Sequence, residues 1–225
     1  MTPEREETVS MEPFEPLTSS LAPLPIDNVD TDQIIPARYL KVTDKSGLGE
    51  GLFSNWRWQD GEPGRPNRDF VLNRPVYSEA RILLVGDNFG CGSSREHAAW
   101  ALLANGFRAV IGPRFADIFR NNALKNGLLA AEIGASEWRR LLELARERPS
   151  TTVTVDLEAQ TVTTPEETIS FAVDPFARRC LLEGIDSFGF LLSHLPAIEA
   201  WEAKRPAPVS TVDAGASRSE RISEI

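Results

Sequence analysis

From residue 81 to residue 147 the chain alternates short apolar runs with helix-like periods. RILLVGD (81–87), FRAVIG (107–112) and LLAAEI (128–133) are too short for buried helices and suit buried strands. Between the first two, Ser93 to Asn105 places Ala98, Ala99, Ala101, Leu102 and Leu103 at helical spacing, closed by Asn105-Gly106. PRFADIFRNNALKNG predicts a helix with Pro113 as first residue and Gly127 as stop. SEWRRLLELARERP predicts another, with Ser136 as N-cap and an end before Pro149. Strands alternating with helices require crossovers, and crossovers make a parallel α/β core.

The flanks add detail. TTVTVDLEAQTVTTPEETISFAV alternates β-branched and polar residues, as a hairpin plus one more strand would. Asp174-Pro175 suits an N-cap and first helical residue, and Gly184 a helix end. SFGFLLSHLPAIEAWEAKR predicts a last helix, bent or interrupted by Pro196. Residues 45–68, with five glycines, two prolines and two tryptophans, read as a long loop. The 225 residues then divide into one α/β domain (13–205), a polar extension (1–12) and a tail (206–225) rich in Ala, Ser and charge. Both ends are expected to be disordered.

Charge and cysteine content exclude several functions. A net charge of -9 speaks against nucleic acid and against an anionic membrane surface. No apolar run approaches the ~20 residues of a membrane span. MTPEREETVSME is neither a secretory signal nor an Arg-rich transit peptide, so a cytoplasmic protein is expected. Two cysteines, Cys91 and Cys180, can neither build a disulfide scaffold nor hold an iron–sulfur cluster alone.

The chemistry concentrates in GDNFGCGSSREH (86–97), between a predicted strand and a predicted helix. Gly90 and Gly92 allow positive φ and close approach of a ligand. Ser93 and Ser94 offer hydroxyls, and Arg95 offers a planar fork that matches a carboxylate. The combination reads as a site for a small anion at a helix start. It matches neither a Walker loop, nor G-x-G-x-x-G, nor G-x-S-x-G. Blander roles fit the same residues. Ser93 and Glu96 have capping-box spacing, Arg95 suits a solvated first turn, and Cys91 and His97 suit packed residues. A cysteine enzyme using Cys91 and His97, or a non-catalytic anion-binding domain, also fits.

GDNFGCGSSREHAAWAL resembles the core motif of the small subunits of 3-isopropylmalate dehydratase (isopropylmalate isomerase), relatives of the aconitase swivel domain. NVDTDQIIPARYL (28–40), PRFADIFRNNALKNGLL (113–129) and RRCLLEGIDSFGFLLSHLPAIEAWEAKRP resemble that family's other blocks, in order, over residues 14–206. The resemblance implies an α/β swivelling-domain type β/β/α fold, a small barrel-like sheet flanked by helices. It implies interconversion of 2- and 3-isopropylmalate by loss and return of water, in leucine biosynthesis. The cofactor would be a [4Fe–4S] cluster in a separate large subunit, with none in this chain. That large subunit and a small dicarboxylic hydroxy acid would be the partners.

By the same resemblance Ser93 would be the catalytic base, and Ser94 and Arg95 would bind substrate carboxylate. Asp32 occupies the place of an active-site aspartate. Tyr39, Leu40, Lys41, Val42 and Thr43 correspond to the substrate-recognition loop, in which aconitase carries an arginine that Thr43 replaces. Leu40 and Val42 would offer an apolar wall to an isopropyl group, against which an unpaired carboxylate is costly. Lys41 keeps a related hydro-lyase acting on methylmalate or homocitrate open as an alternative. Asn122 and Lys125 lie in a matching block. Ala99 and Ala123-Leu124 depart from the family's usual residues without removing a chemical group assigned above.

Overall fold

Strand β1 (Leu17–Leu24) joins the two halves of the sheet. In the computed structural model, which describes residues 11–41, 47–61 and 63–204, its first half pairs antiparallel with β5 (Thr152–Asp156), Leu17 opposite Val155. Its second half pairs parallel with β2 (Ile82–Val85), Leu21 opposite Ile82 and Leu24 opposite Val85. Beyond β2 come β3 (Ala109–Gly112) and β4 (Leu129–Glu132), both parallel. Beyond β5 come β6 (Thr161–Thr163) and β7 (Thr168–Ser170), both antiparallel. The order β4-β3-β2-β1-β5-β6-β7 makes a curled, half-barrel sheet of seven strands with helices around it.

The crossovers follow the periodicity of the sequence. Helix α4 (His97–Ala104) links β2 to β3, α5 (Asp117–Lys125) links β3 to β4, and α6 (Ala135–Glu147) follows β4. Every residue of β2 and β3 is buried, as parallel strands covered on both faces must be. Leu83, Val85 and Val110 join one apolar cluster with Phe53, Phe89, Phe119 and Leu102. Ile82, Leu84, Ala109 and Ile111 join another with Leu141, Leu144, Val155 and Leu181. Helix α7 (Pro175–Glu183) covers this second face through Leu181, and the carboxylate of its N-cap Asp174 accepts from the N–H groups of Phe176 and Ala177. Gly184, in the left-handed region, ends it as expected.

Residues from Phe188 onward form a separate unit. Helix α8 (Ser187–Ser193) stops at His194 and α9 (Leu195–Glu202) starts anew with Pro196 in its first turn. The interruption at Pro196 is thus found, two residues early, because the ring is accommodated where no N–H is needed. Phe188, Leu191, Leu195 and Trp201 on these helices are exposed.

Four expectations are corrected. Helix α4 begins at His97 rather than Ser93. Helix α5 begins at Asp117, not after Pro113, because Phe89 N–H donates to Arg114 O and Ala116 N–H to Phe89 O, holding 114–116 extended. Gly134, not Ser136, is the N-cap residue of α6, and the Ser136 hydroxyl instead donates to Glu137. The 45–68 stretch is not wholly loop: it holds the helical turns α2 (Leu48–Gly51) and α3 (Ser54–Arg57). Most of the two terminal extensions lies outside the described residues, but Met11 and Glu12 are described, and Glu12 pairs with Arg108.

Asp174→Ala removes the carboxylate oxygen that accepts both first-turn N–H bonds of α7. It is expected to cost about 1 kcal/mol, read as a Tm lowered by about 2–4 °C in a thermal melt.

Candidate functional site

The C-terminal ends of the parallel strands share one edge, where ligands gather in open α/β sheets. Three connections leaving that edge are bonded to one another. Asn28 N–H donates to Asp87 O (2.8 Å), Gly90 N–H to Val29 O (2.7 Å) and Thr31 N–H to Cys91 O (2.9 Å). Asp30 forms a parallel bridge with Cys91, and Phe89 forms another with Phe115. The pairing of β1 with β2 therefore continues as a sparse ladder into the loops. Asp30 also caps α1 (Thr31–Ile34): its carboxylate accepts from Gln33 N–H, and the Gln33 amide oxygen accepts from Asp30 N–H.

An aromatic plug fixes the turn from below. Phe89 is fully buried, edge-on to Phe119 (centroids 5.2 Å) and Phe115 (6.4 Å). Gly90 follows at φ +79°, and a Cβ there would stand 2.3 Å from the Phe119 ring. Glycine is required by backbone and by space together. The chain then rises to the surface through Gly92, Ser93 and Ser94, all exposed.

Ser93 is not a helix cap. Glu96 is the N-cap residue of α4 and makes no side-chain cap bond. The capping box lies at Asp30–Gln33 instead. The Glu96 carboxylate accepts from Asn126 Nδ2 (2.7 Å), and Asn126 Oδ1 accepts from Trp100 Nε1 (2.7 Å). The hydroxyls of Ser93 and Ser94 make no hydrogen bond to any described residue. Arg95 turns toward α1, its Nη1 paired with the Asp32 carboxylate and also donating to Ile35 O (3.4 Å). The Arg95 side chain is 16% exposed and that of Asp32 56%.

The structure thus brings Asp32, Ser93, Ser94 and Arg95 to one edge. Tyr39 and Leu40, in the 3-10 helix Ala37–Lys41, are half-buried and pack on the core. A Cβ on Gly51 would meet the Tyr39 ring at 2.8 Å, so α2 is pressed against it. Lys41 ends that helix, and Val42 and Thr43 lie outside the described residues. Cys91 and His97 do not bond to each other: the Cys91 Sγ contacts Asn28 O (3.4 Å), and the His97 ring packs on Trp100 at 4.6 Å. Lys125 lines an apolar cavity of about 190 Å³ with Met11, Leu124 and Cys180, which none of Asp32, Ser93, Ser94 and Arg95 lines. Burial there pushes the Cys180 thiol above its ordinary pKa, which suits a packed residue rather than a nucleophile. Thr31 and Asn126 lie inside the blocks 28–40 and 113–129, but sequence reasoning does not single them out, because their partners Ser93, Glu96 and Trp100 are distant in sequence. Among the described residues, no group of three His, Cys, Asp or Glu converges to hold a metal ion, and no helix is long and apolar enough to cross a membrane.

Comparison with known proteins decides the family. A model of the aconitase C-terminal domain matches residues 11–136, and a LeuD_N model matches residues 139–175. A 3-isopropylmalate dehydratase small subunit from Roseiflexus sp. (strain RS-1) is 59% identical over 202 residues, 89% of this chain and 98% of that protein. The chain belongs to the 3-isopropylmalate dehydratase small-subunit family. Another such subunit, from Anaeromyxobacter dehalogenans (strain 2CP-1), is 56% identical over 196 residues, 87% of this chain and all of that protein. A crystal structure of 3-isopropylmalate dehydratase from Methanocaldococcus jannaschii shares the fold, with a TM-score of 0.58 and 26% identity over 85% of this chain and 100% of that one. The swivel-type architecture expected from the small-subunit motifs is therefore the one this family member adopts.

Gly90→Ala combines positive-φ strain with a ring clash and is expected to cost about 2–5 kcal/mol. Gly106→Ala has φ +95° and nothing within 4 Å of the added Cβ, so strain alone applies, about 1–2 kcal/mol. Urea unfolding of the two variants separates the terms. Equal losses would mean that Phe119 yields and the plug is loose.

Proposed function

We propose that this chain is the small subunit of a 3-isopropylmalate dehydratase, isomerising 2- and 3-isopropylmalate by dehydration and rehydration in leucine biosynthesis. It acts only when joined to a large subunit, in the cytoplasm. One observation carries the reading: a chain 59% identical to a named small subunit presents, beside Arg95 at an exposed strand edge, two serine hydroxyls that bond to no described residue. A [4Fe–4S] cluster held by the large subunit would supply the Lewis acid for the departing hydroxyl.

This chain's residues do the rest. Ser93 takes the proton from the carbon beside a substrate carboxylate and returns it on the reverse path. Its hydroxyl bonds to no described residue, so no such bond must be broken before substrate arrives. Since α4 starts only at His97, no helix cap steadies charge at Ser93, and Arg95 is the nearest cation in sequence to do so. Arg95 spends only Nη1 on Asp32 and Ile35. Its remaining N–H groups, with the Ser94 hydroxyl, hold the substrate carboxylate. Asp32 fixes the direction of that fork and borders the same space. By the family resemblance Tyr39, Leu40, Lys41, Val42 and Thr43 correspond to the loop that meets the substituent; Val42 and Thr43 lie outside the described residues. Leu40 and Val42 favour an isopropyl group, and Thr43 supplies no cation for a third carboxylate.

Mixed with its large subunit, Ser93→Ala is expected to lower kcat by about 10²–10⁴-fold in an assay that follows the unsaturated intermediate. Wild-type turnover in that variant would contradict the assignment of the base. Arg95→Lys keeps the charge but loses the fork, and kcat/KM is expected to fall about tenfold or more. Purified alone, the chain is expected to show no iron–sulfur absorbance and no hydratase activity. Charge-transfer bands in the isolated chain would place the cluster here instead.

A further inference from the structure

We infer that Thr31 is a positioning residue: its buried hydroxyl clamps the main chain of Ser93 and so aims the Ser93 side chain at substrate. The inference rests on Ser93 being the base. Thr31 is 2% exposed, a buried polar residue at the first position of α1. Its Oγ1 donates to Ser93 O at 2.9 Å, and its N–H donates to Cys91 O at 2.9 Å. One residue therefore grips the turn on both sides of Gly92.

The need for such a grip follows from the local backbone. Gly90 and Gly92 have φ of +79° and +89°, so the segment is built of residues that restrict their own dihedrals least. Ser93 lies outside α4, and its hydroxyl makes no bond to a described residue. Neither a helix nor a side-chain partner fixes its position. The Thr31 bond to its carbonyl ties Ser93 to a rigid frame. That frame is itself anchored: Asp30 is bridged to Cys91 and closed by the capping box with Gln33, while Asp32 on the other side is paired with Arg95. Three consecutive residues, 30 to 32, thus hold positions 91, 93 and 95 in register. A misplacement of about 1 Å at a reacting group costs as much as about 10²-fold in rate. A methyl-for-hydroxyl exchange at Thr31 releases one such restraint without touching substrate.

The test uses the assembled enzyme of both subunits. Thr31→Val keeps shape and removes the donor. It is expected to lower kcat about 10–100-fold while KM stays within about threefold, because Arg95 and Ser94 still bind the carboxylate. Thr31→Ser restores the donor and is expected to recover most of the turnover. In a Ser93→Ala background, Thr31→Val is expected to lower kcat no further, since the group it aims is gone. Should the valine variant fail to fold, Thr31→Ser against Thr31→Ala isolates the hydroxyl, both having lost the methyl. Near-normal kcat in Thr31→Val, or equal damage in Thr31→Ser and Thr31→Ala, overturns the inference. If Ser93→Ala itself is fully active, the assignment of the base fails first, and the two failures are thereby distinguished.

Discussion

The parallel pairing of β1 with β2 does not end at Leu24 and Val85. It runs on through Asn28, Val29 and Thr31 against Asp87, Gly90 and Cys91, and the whole candidate site is laid along that extension. The strands themselves are buried on both faces and leave little freedom of register, because a one-residue slip would exchange the two apolar clusters. Register set in the core is thus transmitted to loops that carry exposed polar residues. Phe89 reinforces it from below. Burying that ring contributes about 1.5–3 kcal/mol, on the order of what several exposed ion pairs supply together.

Magnitudes also separate what holds the site from what works in it. The Asp32–Arg95 pair has one partner more than half exposed, and pairs of that kind contribute about 0–1 kcal/mol to stability. Its value lies in direction: it ties one nitrogen of a planar fork to α1. Buried groups carry the stability. The Gly90 contact with Phe119 and the Thr31 hydroxyl leave no slack under the turn. The Ser93 and Ser94 hydroxyls bond to no described residue and lie at the surface.

Much of this was legible in the residues. The strands at 82–85, 109–112 and 129–132 follow from apolar runs, and the cap at Asp174 follows from Asp-Pro. Strand β1 was not legible, because Pro23 lies within LTSSLAPL and argues against a central strand. The helix starts at His97 and Asp117 were misplaced for one reason. Long-range bonds, from Thr31 to Ser93 and between Phe89 and residues 114 and 116, override local cap signals. The small-subunit motifs pointed to Ser93, Ser94, Arg95 and Asp32 together. They did not show that Arg95 leans on Asp32, or that Thr31 holds Ser93, since both contacts join residues more than 60 positions apart.

We propose that an exposed serine on a rigid strand-end turn meets substrate supplied across an interface with a second protein. The most direct measurement is a crystal structure of this chain assembled with its large subunit and a non-reacting analogue of isopropylmalate. The expected result places the Ser93 hydroxyl about 3–3.5 Å from the carbon that would lose its proton, with Arg95 and Ser94 on the neighbouring carboxylate. An analogue held wholly by the other subunit, with Ser93 separated from it by solvent or protein, would contradict the claim.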